Sequence, residues 1–124
     1  MITQKKVLVV EDDAWLGDHH VRMLESAGYK AWTVPHALAA IDDIDTYRPD
    51  ILVLDMLLVG STAFALLHEV RSHVDIGNTP VILCTNAAGE LAGEDMTAYG
   101  IKAVLDKTTM QPIDLIHAVD KVLL

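Results

Sequence analysis

Three acidic side chains stand where apolar runs of the sequence end. Glu11 and Asp12 follow the apolar run 7–10, and Asp55 closes the run 51–54. Carboxylates that cluster in one crevice repel one another and raise one another's pKa unless a cation lies among them. A hard site lined by oxygen atoms, with room for water molecules, is the type that Mg²⁺ prefers. The three acids therefore predict a magnesium site, provided that the fold brings them together.

A hydroxyl and an ammonium group follow two later apolar runs. Thr85 ends the run 81–84, and Lys107 comes after the run 101–105 and Asp106. Together with a carboxylate nucleophile and a divalent cation, these groups make a phosphoryl-binding site. Each residue alone is a weak signal, whereas their joint occurrence at strand ends is a strong one.

Short apolar strands and amphipathic helices must position these side chains. Runs of four or five apolar residues are too short for helices and are typical of strands buried on both faces. Apolar residues at helical spacing follow each strand, and turn residues separate the segments. The predicted strands cover 5–10, 29–34, 50–55, 81–85 and 101–105; helices lie between them and after Pro112, the fourth from about Glu90 to Tyr99.

This alternation predicts an α/β fold with a parallel sheet covered by helices on both faces. With right-handed crossovers, the five strands favour a flavodoxin-like (βα)5 doubly wound sandwich of strand order 2-1-3-4-5. The topological switch point of that order lies between strands one and three, whose ends carry the acids. We expect residues 1–124 to form a single domain.

The composition limits which partners the chain can have. Its formal charge is −9, which argues against nonspecific binding to nucleic acid, since such binding needs a basic surface. The apolar runs are far shorter than the roughly 20 residues of a membrane span. Cys84 is the single cysteine, which argues against a disulfide framework and fits a cytoplasmic location. We therefore expect protein partners, with neither nucleic acid nor membrane among them.

The first predicted helix follows the acids directly, and Asp13 is expected to cap its first turn. Its predicted inward face comprises Leu16, His20, Met23 and Ala27. His20 is expected to pack or snorkel there, because the adjacent His19 points about 100° away and the two cannot chelate together. Trp15 is expected either to pack in the ordinary way or to lie at the rim of the acidic site.

Over essentially its whole length the sequence resembles the receiver domain of two-component response regulators, in particular the single-domain response regulators. The matching motifs are 9–13, 50–55, 80–85 and 106–107. In that family an aspartate takes a phosphoryl group from a sensor histidine kinase or a histidine phosphotransfer protein. The resemblance implies a signalling switch and not an enzyme, one that catalyses at most its own phosphorylation and dephosphorylation.

Carried over by position, the resemblance implies roles for individual residues. Asp55 corresponds to the phosphoacceptor, and Mg²⁺ (with Mn²⁺ as a substitute) is expected to bind Glu11, Asp12, Asp55 and the backbone carbonyl of Leu57. Thr85 matches the switch hydroxyl that moves onto the phosphoryl group.

Lys107 matches the lysine that neutralises a phosphoryl oxygen. The output implied is contact with an unknown downstream protein. The resemblance also allows a homodimer through the face of the fourth helix, fifth strand and fifth helix.

Three departures from the family pattern concern the output side. Thr108 stands where the family has proline after the lysine, so we expect a trans peptide there, because a cis bond before a non-proline residue costs about 2.5–4 kcal/mol. Val104 replaces the aromatic switch residue, and 59–60 and 62–63 replace the Pro-Gly and Asp-Gly of the loop after the phosphoacceptor. These changes leave open how the domain reports phosphorylation.

Other functions remain as alternatives. The chain could be a receiver-like protein-interaction module that works without phosphorylation, which the altered output residues favour. An aspartyl-phosphate phosphatase is disfavoured, because such enzymes need a second aspartate at the position of Leu57. A flavodoxin is disfavoured too, because acids stand where its phosphate loop would begin.

Overall fold

Five parallel strands form the sheet around which the chain folds. In the order of the chain they are β1 (Lys6–Val10), β2 (Lys30–Val34), β3 (Ile51–Asp55), β4 (Val81–Thr85) and β5 (Ile101–Asp106). They lie in the order β2-β1-β3-β4-β5, so the predicted order is confirmed and the switch point falls between β1 and β3. The structure is a computed structural model that describes residues 4–55, 57–58, 61–72, 78–86 and 96–124.

Four α-helices connect or follow the strands within the described residues. They are α1 (Ala14–Ser26), α2 (Ala37–Tyr47), α3 (Ala63–Arg71) and α4 (Pro112–Leu123). Two-residue strands, Leu57–Leu58 and Ser61–Thr62, pair antiparallel just before α3.

The helix predicted from about Glu90 to Tyr99 lies largely outside the described residues, and Thr97–Tyr99 form a 3₁₀ turn. The predicted fifth helix is therefore α4. In the part of the chain that the structure describes, no helix has the length and apolarity needed to span a membrane.

Two hydrophobic clusters lie on opposite faces of the sheet. Successive strand residues point to opposite faces, so β1 and β3 supply both clusters by alternation. On the side of α2 and α3 lie Leu8, Val10, Leu52 and Leu54. On the side of α1 and α4 lie Val7, Val9, Ile51 and Val53. Both faces of the central strands are thus buried from solvent, as their continuous apolar sequence predicted.

The register of β1 and β3 is fixed by a polar contact at the start of the strands. Asp50 accepts a hydrogen bond from the Lys6 amide (2.7 Å) and donates its own amide to the Lys6 carbonyl (2.8 Å). The register then runs to Val10 opposite Leu54. A slip of one residue would displace the strand ends by about 3.3 Å. Asp50 therefore aligns the two strand ends that carry the acids.

Helix α1 begins as predicted, but its buried face is shifted by about one residue from the predicted face. Asp13 accepts a hydrogen bond from the Leu16 amide at 3.1 Å, which confirms it as the N-cap. The buried residues are Gly17, His20 and Leu24. Of the predicted face, His20 is buried, Leu16 and Met23 are half-buried, and Ala27 is exposed. The reason is Gly17, since a Cβ there would lie 2.8 Å from the Thr33 hydroxyl oxygen. A glycine that permits close packing leaves no apolar signal in the sequence.

Arg71 ties the end of α3 to the start of β5. Its guanidinium donates to the Tyr99 carbonyl (2.7 Å) and the Thr79 carbonyl (3.1 Å). Gly100 follows with φ of 72°, and a Cβ added there would lie 1.6 Å from Arg71 Nη2. Gly28 also has a positive φ, 97°, but a Cβ there would meet open space.

Replacing these two glycines separates backbone strain from the loss of the arginine contact. Gly28→Ala should lower the free energy of unfolding by about 1 kcal/mol, the cost of a left-handed alanine. Gly100→Ala should lower it by about 3 kcal/mol, because the carbonyls that Arg71 satisfies also lose their partner. Urea unfolding of both variants measures the difference. Equal losses would show that Arg71 contributes nothing to stability.

His20 is a buried imidazole on α1. It is 5% exposed, and its Nδ1 has no hydrogen-bond partner among the described residues. Burial lowers its pKa to about 4, with help from the nearby charges of His19 and Lys107. The folded protein therefore resists protonation of His20, which the unfolded chain accepts below about pH 6.5.

This difference predicts acid sensitivity with a defined sign. The pKa of His20 is lower in the folded state than in the unfolded chain. Its contribution to the free energy of unfolding is therefore fully present above pH 6.5 and is lost as the pH falls towards 4. Over that window wild type should lose about 2–3 kcal/mol more than His20→Leu. Urea unfolding at a series of pH values gives the slope of the free energy of unfolding against pH for each protein. A constant difference in stability between the two proteins does not affect the comparison. Parallel slopes would contradict the assignment.

Candidate functional site

The ends of β1 and β3 bring the three predicted acids together. Glu11 follows β1 directly, and its amide donates to the Val34 carbonyl at 3.1 Å. Asp55 is the last residue of β3, and Asp12 begins the turn into α1. One carboxylate oxygen from each of the three acids lies within 4.8 Å of the other two. The predicted acidic cluster is therefore present at the switch point of the sheet.

Lys107 extends into this cluster from the far side of β4. Its ammonium lies 2.9 Å from Glu11 Oε2 and 3.2 Å from Asp55 Oδ2. Its backbone amide donates to the Thr85 carbonyl at 2.9 Å, which continues the pairing of β5 with β4. One cation thus bridges carboxylates from two different strands.

The pKa values of Glu11 and Lys107 are both raised in this cluster. Burial raises the pKa of Glu11 to about 7; the Asp55 charge adds to this, while the Lys107 hydrogen bond opposes it. Burial acts to lower the pKa of Lys107, but the hydrogen bond and charge of Glu11 and the charge of Asp55 outweigh it and raise the pKa. Lys107 therefore remains an ammonium group.

The donor set of the cluster fits a small divalent metal ion. All three side chains offer hard carboxylate oxygens, and Asp12 is exposed to solvent that can complete the coordination. When all three acids are ionised, three carboxylates face one ammonium, which leaves a net charge of about −2. A divalent cation would balance that charge. Leu57 belongs to the short antiparallel pair with Thr62, and the role of its carbonyl as a ligand stays a prediction.

Thr85 ends β4, between the strand of Asp55 and the strand of Lys107. It is buried, and it pairs in register with Asp106, while the preceding Cys84 pairs with Asp55. The sequence placed Thr85 at this edge of the sheet, and the structure puts it there. Its role as a switch hydroxyl stays a prediction.

The turn after Lys107 is held by contacts that proline could not make. Asp106 Oδ1 accepts from both the amide (2.8 Å) and the hydroxyl (2.6 Å) of Thr108. These two hydrogen bonds lower the pKa of Asp106. The Lys107–Thr108 peptide is trans, as predicted, since none of the described residues has a cis bond. An aspartate side chain commonly accepts a hydrogen bond from the backbone two residues on and so forms a turn; sequence reasoning missed this signal at Asp106.

The position of the missing aromatic switch lies on β5. Val104 pairs with Leu83 and is half-buried against the cluster on the side of α2 and α3. Loop residues 59–60, which also depart from the family pattern, lie outside the described residues. The effect of these substitutions on output stays a prediction.

Trp15 lies on the protein surface and not in the core. Its side chain is 75% exposed and stacks on His19 with ring centroids 5.7 Å apart. Both rings line a cavity of about 200 Å³ that Lys107 also borders. Trp15 therefore does not pack in the core, and its position at the rim of the acidic site stays a prediction.

Comparisons with known proteins agree with this geometry. The model of the response regulator receiver domain family matches residues 7–120. Two-component response regulator PhoP of Pseudomonas aeruginosa is 36% identical over 107 residues, which are 86% of this chain and 45% of PhoP. Transcriptional regulatory protein CseB of Streptomyces coelicolor is 29% identical over 114 residues, which are 92% of this chain and 46% of CseB.

A solved structure of similar size gives the same result. The chemotaxis response regulator CheY4 of Vibrio cholerae superimposes with a TM-score of 0.88 at 25% identity, covering 98% of this chain and 100% of CheY4. The chain spans less than half the length of PhoP and CseB. It belongs to the family of response regulator receiver domains of two-component systems.

Proposed function

We propose that this receiver domain is a phosphoryl-accepting switch whose nucleophile is Asp55. The observation that supports this most strongly is the Lys107 ammonium, which lies between Glu11 and Asp55 inside a cluster of three carboxylates. A nucleophilic carboxylate beside a fixed cation is suited to attack an anionic phosphoryl group, because the cation offsets the charge that accumulates. The partner that supplies the phosphoryl group is a sensor histidine kinase or a histidine phosphotransfer protein.

The transfer needs little covalent chemistry from the protein. An Asp55 carboxylate oxygen attacks the phosphorus atom in line with the phosphorus–nitrogen bond of a phosphohistidine. A phosphorus–oxygen bond forms, the phosphorus–nitrogen bond breaks, and the electron pair leaves with the imidazole. Positioning and charge neutralisation are the main contributions in such transfers. Lys107 supplies both, because it orients Asp55 and remains beside the oxygen atoms of the bound group.

Glu11 and Asp12, with Asp55 and the Leu57 carbonyl, would hold Mg²⁺, and Mn²⁺ could replace it. When bound, the metal ion neutralises charge on the incoming phosphoryl oxygens. The chain's own contribution is to hold two acids at the end of β1 and to limit the rise in the pKa of Glu11 that its burial causes. Lys107 performs part of that task, since its hydrogen bond opposes the burial that raises the pKa of Glu11.

In the output step the Thr85 hydroxyl moves onto the phosphoryl group, and the resulting change is read by contact with a downstream protein. We propose a cytoplasmic location, where Cys84 stays a buried thiol whose pKa burial raises to about 12. A receiver-like interaction module that needs no phosphorylation is a second candidate. The observation that favours it is Val104, a small side chain where the family has an aromatic ring.

Phosphorylation by a small donor distinguishes these two functions. Wild type incubated with acetyl phosphate and Mg²⁺ should gain the mass of one phosphoryl group, and chelation of the metal should prevent it. Asp55→Asn should gain no mass, because a neutral carboxamide is a far weaker nucleophile than a carboxylate. Asp13→Asn is the matched control, since asparagine also caps α1, and it should be phosphorylated like wild type. Intact-protein mass spectrometry reads all three proteins, and an unmodified wild type would favour the second candidate.

Trp15 should report metal binding directly. In a Trp32→Phe background Trp15 is the one remaining tryptophan, so its fluorescence should change saturably as Mg²⁺ is added. Asp12→Asn should weaken the apparent affinity about tenfold or more, since one anionic ligand becomes neutral. Asp13→Asn should leave the affinity unchanged. A titration in which the two variants behave alike would contradict the assignment of Asp12.

A further inference from the structure

A second cavity lies at the opposite end of the sheet from the acidic cluster. Its volume is about 430 Å³, which is within the range of about 300–1,000 Å³ typical of small-molecule sites. It opens between the start of β1, the edge strand β2 and the last turns of α2. The lining residues are Lys6, Lys30, Ala31, Trp32, Asp43 and Tyr47. None of them takes part in the proposed phosphoryl transfer.

Two aromatic rings form the apolar walls of this cavity. Trp32 and Tyr47 meet edge to face, with ring centroids 5.9 Å apart and planes at 80°. The Trp32 indole donates a hydrogen bond to Asp43 Oδ2 at 2.9 Å, which fixes the orientation of the ring. Asp43 is the carboxylate that lines the cavity, and this oxygen already has a partner. Tyr47 lies one helical turn after Asp43 and is 55% exposed. The walls therefore offer a flat, oriented aromatic surface that is accessible from solvent.

The other end of the cavity is cationic. Lys6 and Lys30 are partners in the register of β1 and β2, so their side chains leave the same face of the sheet. The Lys6 ammonium donates to the Tyr47 carbonyl, and an ammonium group has two further protons to donate. Lys30 is exposed and forms no ion pair within the part of the chain that the structure describes.

A structural role explains only one of these two lysines. Lys6 satisfies a carbonyl at the C-terminal end of α2, where a cation is favoured by the helix dipole. Lys30 has no comparable contact among the described residues, and two like charges side by side on neighbouring strands destabilise a sheet. In a chain with 18 acidic and 9 basic residues, such a pair is a local exception that an anion would relieve.

We propose that this cavity binds a small molecule with a planar ring and one anionic group, either a carboxylate or a phosphate. The ring would pack against Trp32 and Tyr47, where aromatic pairs favour edge-to-face and offset contacts. The anionic group would accept charge-assisted hydrogen bonds from Lys30 and from the remaining protons of Lys6. Asp43 excludes a second anionic group from the aromatic end of the cavity, which limits the ligand to one.

The two tryptophans allow a test with an internal control. The probes are 2-naphthoate, 2-naphthyl phosphate and the neutral 2-naphthylmethanol, each added to the ¹⁵N-labelled, unphosphorylated chain up to millimolar concentration. The indole N–H signal of Trp32 should shift saturably with the two anionic probes, while that of Trp15, at the opposite end of the sheet, stays in place. The relative affinities of the two anions identify whether the site prefers a carboxylate or a phosphate.

Substitution of one lysine tests the cationic end. Lys30→Met should weaken binding of the anionic probes about fivefold or more, because a charge-assisted hydrogen bond is lost. Lys5→Met is the matched control and should change nothing, since Lys5 does not line the cavity. The dispersion of the remaining signals checks that each variant is folded. The proposal is overturned if Trp32 does not shift, if the neutral probe binds as well as the anions, or if Lys30→Met binds like wild type.

Discussion

The ammonium of Lys107 is the contact on which the arrangement of the site depends. It lies 2.9 Å from Glu11 and 3.2 Å from Asp55, so it joins the ends of β1 and β3 from a third strand. Without that charge, carboxylates partly removed from water would repel one another, and protonation would be the easiest relief. The raised pKa of Glu11 shows how strongly burial already acts in that direction. The lysine therefore offsets part of the repulsion among the three carboxylates at the switch point of the sheet.

The position of Lys107 is set by the pairing of β5 with β4, by a backbone hydrogen bond and by the turn that follows the lysine. The pairing of β5 with β4 carries the chain to the edge of the sheet, and the Thr85 carbonyl accepts the Lys107 amide at 2.9 Å. Beyond the lysine, Asp106 accepts two hydrogen bonds from Thr108. The family's proline turn is thus replaced by a turn held through a side-chain carboxylate. The departure changes the chemistry of the turn while the lysine keeps its place.

The sequence carried enough information to predict the sheet and the acidic cluster. Strands buried on both faces are apolar without interruption, and their ends are marked by Glu11, Asp55 and Thr85, so order and site followed from pattern and topology. The face of α1 did not follow, because Gly17 makes its contact by lacking a side chain. The cavity beside Trp32 did not follow either, since it requires the register of Lys6 with Lys30. Contacts between distant segments are the part that one-dimensional patterns do not contain.

The backbone offers a route between the site and β5 that does not need an aromatic ring. Asp55 pairs with Cys84, and Thr85 pairs with Asp106, so β4 links the strand of Asp55 to the strand that precedes Lys107. The amide of Lys107 bonds to the carbonyl of Thr85, while its ammonium bonds to Glu11. A displacement of Thr85 must therefore either break that backbone hydrogen bond or move Lys107 with it. Because a buried backbone hydrogen bond is costly to leave unmade, coupled movement of the two residues costs less free energy than separate movement.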